Sequence, residues 1–339
     1  MSFEELTATA KALVASGRGI LAADESSPTI QKRFDTIGVQ STEENRRDYR
    51  ELLFTTDGAG DFISGVILFD ETLRQNASDG RTLAQVLTDR GMIPGIKVDQ
   101  GAKALAFHDG EKVTEGLDGL RDRCKEYYEL GARFSKWRAV IAIGSGIPSA
   151  ACISANAHAL ARYAALSQEA GLMPIVEPEV LMDGDHIIGR CEEVSSAVFA
   201  KVFEELNVQG VNLEGMLLKP NMIISGKECA EQASVDEVAK TTIDVLRQTV
   251  PHAVPGIVFL SGGQSEAEAT THLNAMNALG EQPWELSFSY GRALQASALQ
   301  AWMGKSENVG VAQQAFLHRA KCNGAARYGK YSSAMEAAA

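Results

Sequence analysis

Eight short apolar runs recur along the chain, and segments with the spacing of amphipathic helices separate them. Near-continuous apolar runs of this length are typical of strands that are buried on both faces of a parallel sheet. Two helix starts are indicated by Ser41 with Glu44 and by Ser265 with Glu268, both at capping-box spacing. The apolar runs occupy residues 17–24, 64–72, 92–99, 132–140, 172–181, 214–221, 255–263 and 284–292.

The alternation of strands and helices predicts an α/β fold, a single (β/α)8 TIM barrel. Eight strand–helix units fit one closed barrel better than two Rossmann halves, although an open doubly wound sheet is the alternative that the pattern leaves. We expect an N-terminal helical extension at residues 1–16, the barrel at 17–325 and a flexible C-terminal tail at 326–339.

The composition of the chain limits which binding partners and which cellular compartment are expected. The net charge of -12 over 339 residues argues against nucleic acid or an anionic membrane as a partner. Five scattered cysteines without a CxxC pair indicate reduced thiols and a cytoplasmic location. The first residues lack the apolar region of a signal peptide, and the uncharged stretch 139–161 is broken by glycine, proline and polar residues. We therefore expect no membrane segment.

Charged residues occupy late positions in five of the predicted strands. Side chains two residues apart in a strand point to the same face. Each of these charges therefore shares a face with the residue two positions earlier in its strand. A single charge of this kind is typical of a solvated strand end, but repetition across strands indicates the active-site end of a barrel. The charges are Asp24, Lys97, Asp99, Lys136, Arg138, Glu177, Glu179 and Lys219.

Lys219 is the candidate nucleophile because it follows a buried apolar strand, in the segment "GMLLKP". Desolvation and a second cation such as Lys136 both disfavour the ammonium form, so part of the amine is expected to be free at neutral pH. A free amine attacks a ketone and forms a Schiff base, and Glu177 can move the protons that this step requires. A buried structural pair of Lys219 with Glu177 is the alternative.

Two groups of residues are suited to binding anions. Ser261, Gly262 and Gly263 end the seventh strand just before a helix, and Gly291 with Arg292 occupies the same point after the eighth strand. Glycine backbone N–H groups, a helix start and an arginine fork all favour phosphate. A second basic group, Lys32 with Arg33, follows the first strand, or else is a solvated helix face. Two anion sites around an imine-forming lysine predict a bisphosphorylated ketone as substrate.

Metal and nucleotide cofactors find little support in the sequence. The six histidines show no HxH or HExxH spacing, and "DGDH" at 183–186 reads as one short turn. No GxGxxG motif opens the first helix, so a nicotinamide cofactor is disfavoured as well. We expect neither a metal nor a cofactor.

Several longer blocks complete the pattern between Gly17 and Trp302. They are, in order, "GILAADES", "STEENRR", "GVILFDETL", "GIKVD", "FSKWR", "PIVEPE", "LLKPNM", "FLSGGQSE" and "SFSYGRALQASALQAW". With these blocks the chain resembles the class I, Schiff-base fructose-1,6-bisphosphate aldolases. The resemblance implies a cofactor-free lyase of glycolysis and gluconeogenesis that assembles as a homotetramer.

The resemblance also implies roles for individual residues. Lys219 would form the imine, Glu177 would accept and donate protons, and Asp24 and Lys136 would assist C–C cleavage and carbinolamine turnover. Glu179 and Lys32 would support their neighbours. The phosphate next to the ketone would be bound by Ser261, Gly262, Gly263, Ser289, Gly291 and Arg292. The other end of the substrate would be bound by Arg33, Lys97 and Arg138, with Ser26 and Thr29 near the entrance.

Two other functions stay open at this point. One is a Schiff-base aldolase of another sugar phosphate, such as sedoheptulose 1,7-bisphosphate, and the other is a non-catalytic scaffold built on an aldolase barrel. The chain departs from the family pattern at its end. Many relatives finish in a tyrosine on a long flexible tail, whereas Tyr331 is the last tyrosine here.

Overall fold

The computed structural model describes residues 3–338. Eight parallel strands close into a barrel in the order β1-β10-β9-β8-β7-β6-β3-β2, and β4 and β5 form a separate antiparallel hairpin. The barrel prediction is confirmed, and the alternative of an open doubly wound sheet is wrong. The strands are β1 Gly19–Ala23, β2 Ile63–Leu68, β3 Ile93–Lys97, β4 Ala102–Ala104, β5 Lys112–Thr114, β6 Phe134–Ile141, β7 Met173–Val180, β8 Leu217–Leu218, β9 Gly256–Phe259 and β10 Glu285–Tyr290.

Helices follow the strands and surround the barrel. The α-helices are α1 Phe3–Leu13, α2 Ser27–Asp35, α3 Glu43–Phe54, α4 Asp70–Arg74, α5 Leu83–Asp89, α6 Leu120–Glu129, α7 Ala150–Glu169, α8 Ile188–Val208, α9 Val235–Thr249, α10 Glu266–Ala278, α11 Arg292–Trp302 and α12 Val309–Ala326. Short 3-10 turns occupy Ala59–Asp61, Leu213–Gly215, Ser306–Asn308 and Ser333–Ala338. None of the helices described at residues 3–338 is long and apolar enough to cross a bilayer.

The two predicted helix starts have different outcomes. Ser265 and Glu268 form the predicted capping box at the start of α10. The prediction for Ser41 is wrong, because Thr42 is the N-cap of α3 and its hydroxyl accepts a hydrogen bond from the backbone N–H of Asn45. Ser41 instead lies outside the helix, where its carbonyl oxygen accepts from Arg46 at 2.6 Å.

Two apolar layers lie on either side of the barrel wall. Ile20, Phe134, Met173, Leu217 and Val258 belong to one buried cluster that fills the inside of the barrel. The alternate residues of the same strands pack against the surrounding helices in a larger cluster. Each strand is therefore buried on both faces, which explains why the sequence shows continuous apolar runs.

Helix α1 packs across the amino-terminal end of the barrel. Its Leu13 and the following Val14 belong to the inner apolar cluster. A methyl group on Gly65 would lie 2.4 Å from Leu13 Cδ2, and one on Gly256 would lie 2.6 Å from Val14 Cγ1. Glycine at these strand positions lets α1 approach the barrel closely, so the predicted N-terminal helix closes one end of it.

The C-terminal segment contacts helices α10 and α12. Glu336 forms an ion pair with the buried Arg319 at 2.5 Å and accepts a hydrogen bond from the Tyr331 hydroxyl at 2.6 Å. The backbone N–H of Tyr331 donates to Asn274 at 2.8 Å. The predicted flexibility of the tail and the division at residues 16 and 325 stay predictions, and Ala339 lies outside the described residues.

Candidate active site

A cavity of about 620 Å³ opens at the carboxyl ends of the barrel strands. Every residue to which the resemblance assigns a role lines it, whereas Asp99, the remaining late-strand charge selected from the sequence, does not. The set comprises Asp24, Ser26, Thr29, Lys32, Arg33, Lys97, Lys136, Arg138, Glu177, Glu179, Lys219, Ser261, Gly262, Gly263, Ser289, Gly291 and Arg292.

Four charged side chains form the floor of the cavity, of which three are buried and Asp24 is partly exposed. Lys136 Nζ lies 2.7 Å from Asp24 Oδ2 and 3.2 Å from Glu177 Oε2. Lys219 Nζ lies 3.2 Å from Oε1 of the same Glu177. Glu177 therefore bridges the two lysines, with one oxygen toward each, and its Oε2 is left without a geometrically satisfactory hydrogen bond.

The strand geometry explains why these four side chains meet. Ile20 and Ala22, Phe134, Met173 and Ile175, and Leu217 belong to the inner apolar cluster. Because side chains alternate along a strand, the charges that follow at even spacing also point inward. The backbone N–H of Lys219 donates to the carbonyl oxygen of Val176 at 2.8 Å, which holds Lys219 beside the strand that carries Glu177.

The charges shift one another's ionisation strongly. Burial by itself would raise the pKa of Asp24, but Lys136 and Lys219 hold that pKa well below its usual range. Burial would also raise the pKa of Glu177, and the same two lysines lower it on balance. Burial by itself would lower the pKa of Lys136, but Asp24 and Glu177 raise it. Both carboxyl groups are therefore ionised at neutral pH, and Lys136 is a cation.

A second group of charges lies around β3 and β6. Arg138 pairs with Glu179, and this pairing outweighs burial and raises the pKa of the guanidinium. Lys97 Nζ lies 3.2 Å from Asp99 Oδ1, and Asp99 Oδ2 accepts a hydrogen bond from the backbone N–H of Arg138. Asp99 thus links the ammonium group of Lys97 to the backbone of Arg138.

The glycine-rich loop after β9 has the conformation of an anion site. Gly262 and Gly263 have φ angles of 58° and 94°, a left-handed region that favours glycine. Helix α10 begins shortly after this loop, and α11 begins at Arg292, which lines the cavity with Gly291, so the start of α11 faces this part of the cavity. The buried hydroxyl of Ser289 has no partner among the described residues and is free to bind a ligand.

The order of strands places the two groups of cations across the mouth from each other. In the ring of eight strands, β3 lies opposite β9, and β6 lies opposite β10. Lys97 and Arg138 are therefore on the side opposite the Gly262–Gly263 loop and Arg292. A ligand with an anionic group at each end could span this distance, with Lys219 and Glu177 between the ends.

Comparison with known proteins agrees with this geometry. Residues 5–339 match the sequence profile of the family described as "Fructose-bisphosphate aldolase class-I". The chain belongs to the class I fructose-bisphosphate aldolase family. Its predicted resemblance to that family is confirmed.

Relatives of this aldolase are similar over nearly their full length. "Probable fructose-bisphosphate aldolase class 1" of Xanthomonas campestris pv. campestris is 60% identical over 332 residues, which cover 98% of this chain and 99% of the relative. "Fructose-bisphosphate aldolase" of Dictyostelium discoideum is 55% identical and covers 97% and 93% of the two chains. A solved aldolase from Plasmodium falciparum, in complex with TRAP and a small-molecule inhibitor, superposes with a TM-score of 0.97 at 54% identity, covering 98% and 96%.

Sequence reasoning missed several residues that line the cavity of this aldolase. Glu25 is buried and pairs with Arg33 at 2.8 Å, and its carboxylate also accepts a hydrogen bond from Gln295. Lys227 lines the cavity from the loop after β8. Glu25 is adjacent to Asp24 in the segment "DES", so the sequence could have indicated it as a site residue. Lys227 lies in a loop without strand or helix periodicity, and the sequence gives no such indication for it.

Arg33 lies on a different side of the mouth from the one that the resemblance implies. A methyl group on Gly291 would lie 3.6 Å from an Nη atom of Arg33. Arg33 is therefore beside the start of α11, on the β10 side, and not with Lys97 and Arg138. Lys32, its neighbour in α2, is exposed at the edge of the cavity.

Proposed function

We propose that this cavity cleaves fructose 1,6-bisphosphate to dihydroxyacetone phosphate and glyceraldehyde 3-phosphate, and catalyses the reverse condensation, through a Schiff base on Lys219. The observation that carries the proposal is the buried contact of 3.2 Å between Lys219 Nζ and Glu177 Oε1. Membership of the class I aldolase family supports it.

Imine formation uses Lys219 and Glu177. The free amine of Lys219 attacks the ketone carbon C2, and the carbinolamine that results loses water when Glu177 supplies a proton to the departing hydroxyl. Glu177 first takes up the proton that the amine releases as it forms the new C–N bond, and one further proton from the solvent converts the carbinolamine oxyanion into the hydroxyl that departs. The product is a cationic imine on Lys219.

Cleavage follows because the imine withdraws electrons. The C4 hydroxyl gives its proton to an ionised carboxylate, for which Asp24 and Glu177 are the candidates, and the C3–C4 bond breaks as its electron pair moves toward the imine nitrogen. Glyceraldehyde 3-phosphate leaves and an enamine remains. Protonation of the enamine at C3 and hydrolysis of the imine release dihydroxyacetone phosphate and restore Lys219. Lys136 keeps both carboxylates ionised at the start of the cycle.

The two ends of the cavity are suited to the two phosphate groups. We assign the phosphate next to the ketone to the side with Gly262, Gly263 and Arg292, where Ser261, Ser289 and Gly291 also contribute. We assign the far phosphate to Lys97 and Arg138, with Ser26 and Thr29 at the entrance. The position of Arg33 favours the first of these sites, and Glu179 supports Arg138 through their ion pair.

Reductive trapping tests the imine. Sodium borohydride added together with dihydroxyacetone phosphate is expected to inactivate the enzyme and to raise the mass of the peptide that contains "LLKPN", residues 217–221, by that of the ketone less one oxygen atom. Borohydride without the ketone is the control and should leave activity intact. Modification of a different lysine, or of none, would show that Lys219 has been assigned the wrong role.

A coupled cleavage assay tests the substrate. Fructose 1,6-bisphosphate should give a higher kcat/KM than fructose 1-phosphate, because only the bisphosphate has a group for Lys97 and Arg138 to bind. A higher value for sedoheptulose 1,7-bisphosphate would assign the enzyme to that substrate. No turnover of any of these three compounds, with an intact fold, would favour the non-catalytic scaffold.

We also propose a cytoplasmic homotetramer. The free cysteines of the chain support a reducing compartment, and a relative in Arabidopsis thaliana is named "Fructose-bisphosphate aldolase 4, cytosolic". The tetramer follows from the family resemblance alone. Light scattering coupled to size-exclusion chromatography measures the mass directly, and any mass other than four chains overturns this part of the proposal.

A further inference from the structure

Lys227 and Arg292 converge on one glycine of the anion loop. A methyl group on Gly263 would lie 2.9 Å from Lys227 Nζ and 3.0 Å from an Nη atom of Arg292. The two cations reach this point from different elements, since Lys227 follows β8 and Arg292 begins α11. An anion held by the backbone of Gly263 would therefore lie beside both of them.

The backbone of Lys227 is fixed by a short ladder between two loops. One loop follows β7 and the other follows β8. The three bonds are Gly226 N–H to His186 O at 2.7 Å, Lys227 N–H to Met182 O at 2.8 Å and Glu228 N–H to Gly184 O at 2.9 Å. Lys227 thus starts from a defined backbone position, unlike a lysine on a freely moving loop.

Close approach of the two loops depends on Gly226. A methyl group at this position would lie 2.3 Å from the carbonyl oxygen of Gly184, which is far too short for a carbon–oxygen contact. The glycine is therefore required for the ladder that positions Lys227. The exposed side chain of Asp183 then pairs with Lys227 Nζ at 3.2 Å and directs it along the edge of the cavity.

The ordinary explanation of such a lysine is a solvent-exposed ion pair. An exposed pair of Lys227 with Asp183 would contribute little to stability. That explanation does not account for the convergence on Gly263, where Nζ lies close to a second cation although like charges repel. A bound anion would neutralise both charges and make the arrangement favourable.

We propose that Lys227 is an additional binding residue for the phosphate next to the ketone, which it and Arg292 hold from two sides of Gly263. This inference rests on the proposed function, because it names a further contact for the same substrate. Lys227 binds the phosphate group alone and takes no part in the proton transfers at Lys219.

Two ketones separate phosphate binding from every other effect of Lys227. Dihydroxyacetone phosphate and unphosphorylated dihydroxyacetone form the same imine, and the concentration of each that gives half-maximal borohydride inactivation measures its binding. In Lys227→Met this concentration should rise roughly 3- to 30-fold for dihydroxyacetone phosphate, as expected for loss of a partly exposed charge-assisted contact. It should not change for dihydroxyacetone. Lys227→Arg should restore most of the binding of the phosphorylated ketone.

Glu228→Gln is the matched control, because Glu228 is a charged residue of the same loop but does not line the cavity. This variant should bind both ketones as the unaltered enzyme does. An equal loss for both ketones in Lys227→Met would indicate a purely structural role and overturn the proposal. Unchanged binding of dihydroxyacetone phosphate would overturn it as well. If the unaltered enzyme forms no imine, the proposed function fails instead. Calorimetric titration with inorganic phosphate then decides the role of Lys227 by comparing the unaltered enzyme with Lys227→Met.

Discussion

Lys136 is the residue on which the ionisation of the site depends. It is buried, contacts Asp24 and Glu177, and raises the population of both carboxylates at neutral pH. A lysine in this position therefore acts on the chemistry through its neighbours even before any substrate binds. The sequence predicted that these side chains would meet, because strand periodicity places them on one face, but it could not predict which carboxylate bridges the two lysines.

Asp24→Asn should reveal the stabilisation that this ion pair provides. Because the pKa of Asp24 is lowered in the folded protein, ionised Asp24 stabilises the fold. This stabilisation is complete above the ordinary carboxyl pKa of about 4 and is lost as the pH falls toward the lowered pKa. At pH 7 we expect the variant to lose about 1.5–3 kcal/mol in the free energy of unfolding. Urea titrations from pH 7 to pH 3 measure this difference, which should shrink below about pH 4. A difference that is constant with pH would contradict the ion-pair explanation.

Arg292→Ala and Lys97→Ala test the assignment of the two phosphate sites. Loss of a charge-assisted contact of about 1.5–3 kcal/mol at Arg292 should lower kcat/KM roughly 10- to 150-fold. The loss should be similar for fructose 1,6-bisphosphate and fructose 1-phosphate, because both carry the phosphate next to the ketone. Lys97→Ala should lower kcat/KM for the bisphosphate far more than for the 1-phosphate. The opposite pattern in the two variants would mean that the sites are assigned in reverse.

At the scale of elements, turns and loops account for most differences between prediction and structure. The predicted strand at 214–221 is reduced to Leu217–Leu218, because Leu213–Gly215 forms a 3-10 turn and Pro220 has no N–H to donate. Pairing still continues beyond the strand, since Leu260 N–H donates to Pro220 O at 3.1 Å. Contacts such as Lys227 with Asp183 depend on how two loops pair, and that information is absent from the periodicity of either loop.

Ser265→Ala should weaken the start of α10 and the phosphate site together. The side chain of Ser265 accepts from the backbone of Glu268, and the side chain of Glu268 accepts from the backbone of Ser265. Its removal should cost about 1 kcal/mol in the free energy of unfolding and raise KM for the bisphosphate. Ser234→Ala is the control, since the Ser234 hydroxyl also accepts from the backbone N–H three residues on, but α9, which it caps, does not follow the Gly262–Gly263 loop. It should lower stability by a similar amount while KM stays the same, and an equal rise in KM for both variants would contradict the link.

At the scale of the whole molecule, the barrel and the residues that meet in its cavity could be predicted because both depend on regular spacing. Eight apolar runs of similar length indicate eight buried strands. The two-residue alternation of side chains within each run identifies which of them point into the barrel. The closing role of α1 could not be predicted in this way. It depends on Gly65 and Gly256, which look like ordinary strand glycines until the packing of Leu13 and Val14 against them is seen.

Catalysis by this aldolase should need no metal ion. In the part of the chain that the structure describes, no three His, Cys, Asp or Glu side chains are grouped as metal ligands, and the proposed imine itself withdraws the electrons. Prolonged incubation with EDTA, followed by removal of the chelator, should leave kcat for fructose 1,6-bisphosphate unchanged. Activity that disappears with EDTA and returns with zinc would place the electron-withdrawing role on a metal.

The packing of α1 has a consequence for the order in which products leave. Its side chains join the apolar filling at the amino-terminal end of the barrel, so among the described residues 3–338 the substrate enters, and both products leave, through the cavity at the carboxyl ends of the strands. After cleavage one product is still covalently attached to Lys219, whereas the aldehyde is held by non-covalent contacts alone. The aldehyde therefore has to leave through the cavity opening first. Water can then reach the imine and release the second product.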